Sequence, residues 1–154
     1  MLSVNKQQTD EGLLVELSGA IEENVHFEQV IGPIKGTLNV NCRGVTRINS
    51  VGVKTWIRYF QMLKSQGQPF KFTDCSYSII EQLNMISNFS CGGEVESVLL
   101  PFSCIKCQNE FVAVCATADL KANGLKIPDV KCEKEECGAK FDDDPDEYLY
   151  FLES

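Results

Sequence analysis

The sequence has little of the side-chain chemistry that most enzymes use. Among its 154 residues there is one histidine, His26, and a lone histidine in an amphipathic segment is usually structural. Without a second histidine no Ser-His-Asp arrangement can form, and the sequence has neither a GxSxG turn nor a glycine-rich phosphate loop. The acidic run DDDPDE at residues 142–147 lacks the spacing of an EF-hand and is expected to be a solvated turn. We therefore expect a protein that is not an enzyme.

Long apolar runs are also missing. No stretch approaches the roughly 20 apolar residues that a membrane helix needs. The first dozen residues, MLSVNKQQTDEG, lack the apolar segment of a signal peptide. The composition, 44% hydrophobic and 23% charged, is typical of a globular domain. These features predict a cytoplasmic protein that does not associate with membranes.

Positive charge is scarce near the end of the chain. The net charge is -8, and residues 132–154 contribute nine acidic and two basic side chains, a net of -7. Residues 1–131, with thirteen acidic and twelve basic side chains, are close to neutral. Because nucleic-acid phosphates repel acidic surfaces, this distribution disfavours a nucleic-acid partner. Nucleic-acid binding through the C-terminal part of the chain is kept as an alternative, and this charge opposes it.

Eight cysteines are present, and four of them form two close pairs. Cys104 and Cys107 are separated by two residues, Cys132 and Cys137 by four, and 24 residues lie between the pairs. In a reducing compartment such pairs usually bind metal, and C-x(2–4)-C turns suit the four tetrahedral ligands of a structural zinc ion. Iron would need the same ligands. The other cysteines are expected to be small buried hydrophobic residues: Cys42, Cys75, Cys91 and Cys115.

Apolar periodicity predicts an α/β domain. Strands are expected at residues 2–8, 13–17, 37–42, 70–73 and 94–100, and helices at residues 22–31, after Asn49-Ser50, and at 76–86. The order β-β-α-β-α-β-α-β predicts a mixed sheet flanked by helices. Beyond Pro101 cysteines and charges replace this pattern, with a short strand at 111–115. We therefore divide the chain into an α/β domain at 1–100 and a zinc-ribbon domain with an acidic tail at 101–154.

The longest predicted helix follows the loop INSVG and has two distinct sides. An apolar stripe at helical spacing is expected to face the core: Val53, Trp56, Ile57, Phe60 and Leu63. The opposite side carries two cations and two apolar residues: Val51, Lys54, Thr55, Arg58 and Met62. Apolar side chains flanked by cations are typical of a modest docking patch, and the alternative is an ordinary solvated helix face.

Several segments of residues 2–100 resemble a STAS domain, the fold of bacterial anti-sigma factor antagonists and of the cytoplasmic ends of sulfate transporters. They are LSG at 17–19, LNVNCRGVTRINSVGV at 38–53, the helix running to KSQGQPFKFTD at 64–74, and the segment 76–86. The resemblance implies a regulatory module that binds a protein partner, such as a kinase-type anti-sigma factor or a component of a signalling assembly. A domain that senses a small ligand through Arg47, Asn49 and Ser50 is a further alternative.

The loop departs from the family pattern at its centre. In the family it is Asp-Ser-Ser/Thr-Gly, and a kinase phosphorylates the hydroxyl before the glycine, which releases the partner. Here it is Asn49-Ser50-Val51-Gly52, so the acceptor position has no hydroxyl. We expect docking without this phosphorylation switch. Ser50 retains a hydroxyl as a candidate phosphorylation site, although capping the following helix is its alternative role.

Overall fold

The chain begins with an antiparallel β-hairpin. A computed structural model describes residues 2–130 and 138–153. In it, strand β1 (Ser3–Gln8) pairs with β2 (Gly12–Ile21). At the turn, a Cβ on Gly12 would lie 2.0 Å from the carbonyl oxygen of Thr37, so only glycine fits there. The predicted hairpin is confirmed, and its second strand extends four residues beyond the predicted end.

Three further strands complete a five-stranded mixed sheet. They are β3 (Thr37–Ile48), β4 (Phe70–Thr73) and β5 (Glu94–Val95). The order is β1-β2-β3-β4-β5, and every pair after the hairpin is parallel. The predicted α/β architecture with a mixed sheet and flanking helices is confirmed.

Three helices connect these strands: α1 (Phe27–Ile31), α2 (Ser50–Ser65) and α3 (Tyr77–Met85). The last two agree closely with the prediction, and α2 ends just before Gly67, whose φ of 73° suits glycine. The first is shorter than predicted, because a turn follows β2 at residues 22–26 and the helix begins only at Phe27. No helix in the described ranges is long and apolar enough to cross a membrane.

An aromatic cluster joins α2 to one face of the sheet. Trp56 stacks on Phe89 at a ring distance of 5.0 Å and on Phe72 at 5.3 Å. Its indole nitrogen donates a hydrogen bond of 3.0 Å to the carbonyl of Phe89, so this buried ring keeps no unsatisfied donor. The cluster fixes the orientation of α2 on the sheet.

A second, antiparallel sheet follows, with β6 (Ser97–Cys104) between β7 (Glu110–Ala116) and β8 (Ala139–Phe141). The strand predicted at 94–100 is therefore two strands, because Glu96 separates β5 from β6. A parallel bridge between Cys75 and Val98 connects the two sheets. The boundary predicted near Pro101 lies inside β6.

The end of the chain packs on both parts of the molecule. Helices α4 (Thr117–Ala122) and α5 (Pro145–Tyr148) precede a 3-10 turn at Tyr150–Leu152. The hydroxyl of Tyr148 donates to the carbonyl of Leu99 on β6 at 2.5 Å. Asn84 on α3 donates to the carbonyl of Tyr148 at 3.0 Å and accepts from the amide of Phe151 at 2.9 Å. These hydrogen bonds hold the apolar C-terminal residues against β6 and α3.

Candidate protein-docking site

The loop before α2 is held rigidly at its two ends. Oδ1 of Asn49 accepts a 2.8 Å hydrogen bond from the amide of Gly52, which makes Asn49 the N-cap of the helix. The amide of Asn49 in turn donates to the carbonyl of Ile21 on β2 at 3.2 Å. A Cβ on Gly52 would lie 2.2 Å from that same carbonyl oxygen, so glycine allows the helix to approach the strand. The structure therefore explains why INSVG has a capping asparagine and, three residues later, a glycine.

The capping role suggested as the alternative for Ser50 belongs to its neighbour. Ser50 is the first residue of α2, and its side chain is exposed. Within the described part of the chain its hydroxyl makes no hydrogen bond. Ser50 is therefore accessible, while Asn49 satisfies the helix N-terminus.

Two glutamates border the loop on the side of β2. Glu23 accepts a 2.8 Å hydrogen bond from the side-chain amide of Asn49, and this bond lowers the pKa of the exposed Glu23 carboxyl. Glu22 forms a 3.2 Å ion pair with Arg47. The polar groups of Arg47 and Asn49, which the small-ligand alternative would use, are thus each engaged by a carboxylate.

The outward side of α2 presents one apolar side chain and two cations. Val51 is 46% exposed, and both Lys54 and Arg58 are exposed one and two turns further on. Among residues 2–130 and 138–153, neither cation forms an ion pair. The hydroxyl of Thr55 is used internally, since it donates to the carbonyl of Val51 at 3.0 Å.

Met62 differs from its predicted position on the outward face. It is only partly exposed and packs against the hydrophobic core. The inward stripe is also shifted, because Val53 and Ile57 are half-buried while Gly52 and Tyr59 are buried. The shift follows from the close approach at Gly52, which rotates the buried side of the helix toward that residue. The exposed part of the predicted docking face is therefore limited to Val51, Lys54 and Arg58, with Asn49, Ser50 and Thr55 at its edge.

The first cysteine pair lies on a tight turn between β6 and β7. Sγ of Cys104 accepts hydrogen bonds of 3.4 Å from the amides of Lys106 and Cys107. Gln108 has a φ of 60°. Its amide donates to the carbonyl of Cys104 at 3.0 Å and closes the turn. Two amides directed at one sulfur would stabilise negative charge on it.

Cys132 and Cys137 lie outside the described residues. The residues that flank this segment are next to the turn: the amide of Ala139 donates to the carbonyl of Val130 at 3.0 Å, and Ala139 pairs with Cys104 across β6 and β8. The carbonyl of Gly138 accepts from the amide of Ile105 at 3.5 Å. Within the described ranges, no three histidine, cysteine or carboxylate side chains form a group able to hold a metal ion.

The remaining cysteines occupy the predicted environment in three of four positions. Cys42, Cys75 and Cys91 are buried, whereas Cys115 on β7 is half-buried. The hydrogen bond with Cys75, together with burial, raises the pKa of the Cys42 thiol well above its ordinary value. A raised pKa keeps this thiol protonated and unreactive at neutral pH.

Two other polar features of the sequence are His26 and the acidic run. His26 is exposed and occupies the N-cap position of α1 rather than its interior, and its side chain makes no capping hydrogen bond. In the acidic run, Asp144 caps α5 by accepting from the amide of Asp146 at 2.9 Å. Asp142 accepts a hydrogen bond from the hydroxyl of Ser103. These contacts explain part of the acidic run without a bound cation.

No protein-family model matches the chain, and no curated protein matches it. The chain has an α/β fold with a mixed sheet. What the molecule does must be inferred from the side chains that α2 and the cysteine turn present.

Proposed function

We propose that this chain is a non-enzymatic protein-interaction module that docks a partner through the face of Val51, Lys54 and Arg58. The observation that carries the proposal is an exposed valine flanked by two cations without ion-pair partners in the described chain. Apolar contact supplies affinity at such a face, and unpaired charges select the partner. The rigid loop below the face lowers the entropy cost of binding.

The partner proposed for this face has an apolar contact point and acidic side chains around it. Following the resemblance to anti-sigma factor antagonists, it is a kinase-type anti-sigma factor or a component of a larger signalling assembly. Because Val51 occupies the acceptor position, docking proceeds without the phosphorylation switch of the family. The same residue makes the face apolar at the point where relatives carry a hydroxyl.

The proposal includes one structural zinc ion held by Cys104, Cys107, Cys132 and Cys137. The two amide–sulfur hydrogen bonds at the first pair support it, and so does the position of Val130 and Gly138 beside that turn. Four thiolates would fill the tetrahedral shell and leave no site for a reactive water, which fits a stabilising role. Lys106 lies in the turn itself and offsets part of the negative charge.

The test is quantitative affinity capture from the native cell with the wild type and Val51→Asp side by side. The substitution places a carboxylate in the apolar contact, one turn before Lys54, so we expect the partner to be lost from the captured set. Lys54→Ala/Arg58→Ala should weaken capture of the same protein. Met85→Asp is the matched control, because Met85 is an exposed apolar residue on a different helix.

The result that overturns the proposal is a set of captured proteins that Val51→Asp leaves unchanged. Equal losses with Val51→Asp and Met85→Asp would have the same meaning, because a general effect of added charge would then explain both. Circular dichroism of each variant ensures that the folded protein is compared.

A further inference from the structure

Strand β7 forms a free edge of the sheet and is unusually apolar for one. It pairs with β6 on one side, and no strand pairs with its other side in the described part of the chain. Between Phe111 and Ala116 it has no charged residue and no proline. Val112 and Val114 are 47% and 49% exposed. An apolar edge without a charge, proline or bulge invites pairing with another strand.

An edge strand of the first sheet is protected in the usual way. Strand β1 (Ser3–Gln8) carries polar side chains at most positions and Lys6 near its centre, and all but one of its residues are exposed. A lysine on an edge strand opposes pairing with a second strand, because it would have to lose its hydration. The contrast indicates that the apolar character of β7 serves a contact.

The register of β7 against β6 shows which backbone groups of β7 point to the free side. The amide of Thr117 donates to the carbonyl of Glu96, and the amide of Cys104 donates to the carbonyl of Asn109. In an antiparallel ladder hydrogen-bonded residues alternate, so the odd-numbered residues of β7 bond to β6. The residues whose amides and carbonyls face outward are therefore the even-numbered ones: Glu110, Val112, Val114 and Ala116.

We propose that β7 pairs with β7 of a second copy of this chain, antiparallel about a two-fold axis at Ala113. In this register Val112 lies opposite Val114 of the second copy, and all seven residues of the strand are paired. This register agrees with the hydrogen-bond pattern of β7. The even-numbered residues, whose amides and carbonyls face outward, become the hydrogen-bonded pairs between the copies, and Ala113 lies in a non-hydrogen-bonded pair. A two-fold contact requires such self-complementarity.

The charge of the strand is compatible with this register. Glu110 lies opposite Ala116 of the second copy, so the single carboxylate of the strand does not face itself. The two valine pairs bury apolar surface that is exposed in the monomer, and cross-strand pairs of β-branched residues stabilise antiparallel sheets. This contact involves none of the residues of the α2 face.

Two double variants test the contact and its register by sedimentation velocity over a concentration series. Val112→Lys/Val114→Lys places lysine opposite lysine at two points, and we expect the dimer dissociation constant to rise roughly tenfold or more. Val112→Lys/Val114→Glu places lysine opposite glutamate at both points and should stay within a few fold of the wild type. Both variants change exposed positions, and their thermal unfolding shows whether the fold is kept.

A backbone variant tests the pairing independently of charge. Val114→Pro removes an amide that faces outward, so the β6–β7 ladder stays intact and the chain should become monomeric while folded. A wild type that stays monomeric at the highest soluble concentration would overturn the proposal. So would equal weakening by the two double variants, or a dimer that none of the variants affects.

Discussion

At the scale of single residues, Asn49 combines two tasks that can be separated. Its Oδ1 caps α2, and its amide nitrogen holds Glu23. Asn49→Ala removes both bonds and should lower the free energy of unfolding by about 1 kcal/mol. Asn49→Asp keeps the cap and removes the donor. Chemical denaturation should therefore distinguish the two variants, with Asn49→Asp losing less stability than Asn49→Ala, because the retained cap outweighs the repulsion between the new carboxylate and the exposed Glu23.

The same two variants, Asn49→Ala and Asn49→Asp, should both raise the pKa of Glu23. In the folded protein the pKa of Glu23 is lowered, first of all by the hydrogen bond from Asn49. The stabilisation from the ionised Glu23 is therefore fully present above the pKa that Glu23 has in the unfolded chain. It is lost as the pH falls through the lower pKa that Glu23 has in the folded protein. Both substitutions should return this pKa toward or above its ordinary value, measured by NMR. A Glu23 that titrates as in the wild type would contradict this assignment.

Gly52 determines how closely α2 approaches β2. Because a Cβ would lie 2.2 Å from the carbonyl oxygen of Ile21, Gly52→Ala should destabilise the protein by about 1–3 kcal/mol through overpacking. The control is Val51→Ala at the exposed neighbouring position, where about 0.5 kcal/mol or less is expected. Equal unfolding midpoints for the two variants would show that the helix can shift without cost.

The positions of individual site residues could be predicted where sequence spacing alone determines them. The polar pair before an apolar helix predicted a cap, and the exposed positions of Val51, Lys54 and Arg58 followed from helical periodicity. Met62 was placed wrongly, because the tight contact at Gly52 rotates the helix and periodicity carries no information about that rotation. The ion pair of Glu22 with Arg47 joins residues 25 positions apart and has no local signal.

At the scale of elements, the turn between β6 and β7 should depend on metal. We expect one zinc ion per purified chain, and removal of zinc by a chelator should lower the thermal transition, because this small module has little core of its own. Cys104→Ser should lose the metal. Cys115→Ser, at a half-buried cysteine of the adjacent strand, should keep it. Less than one zinc per two chains by elemental analysis would contradict the ribbon assignment.

The elements themselves were predictable where strand and helix periods are clear. The hairpin, β4, α2 and α3 all have regular alternation or stripes and definite stop signals. The helix predicted at 22–31 is shorter in the structure because Glu22 and Glu23 bind Arg47 and Asn49 beside the neighbouring loop. The division of residues 94–100 into two strands depends on hydrogen bonds to Phe72 and Cys75, which lie far away in the sequence.

At the scale of the whole molecule, the two sheets share one hydrophobic core. Buried residues of the first hundred positions and Leu120, Tyr148 and Leu149 belong to one cluster. The bonds of Asn84 to the C-terminal residues cross the predicted boundary near Pro101. Elements that share a core usually unfold together.

We therefore expect one cooperative transition for the whole chain. Trp56 is the only tryptophan and reports the first sheet, while amide hydrogen exchange of β6 and β7 reports the second. Their denaturation midpoints should coincide. With both probes, Asn84→Ala should lower the free energy of unfolding by the same amount, about 1–2 kcal/mol, because it removes two hydrogen bonds that join the parts. Two separate midpoints, with only the second shifted by Asn84→Ala, would instead show that the chain folds as two independent domains.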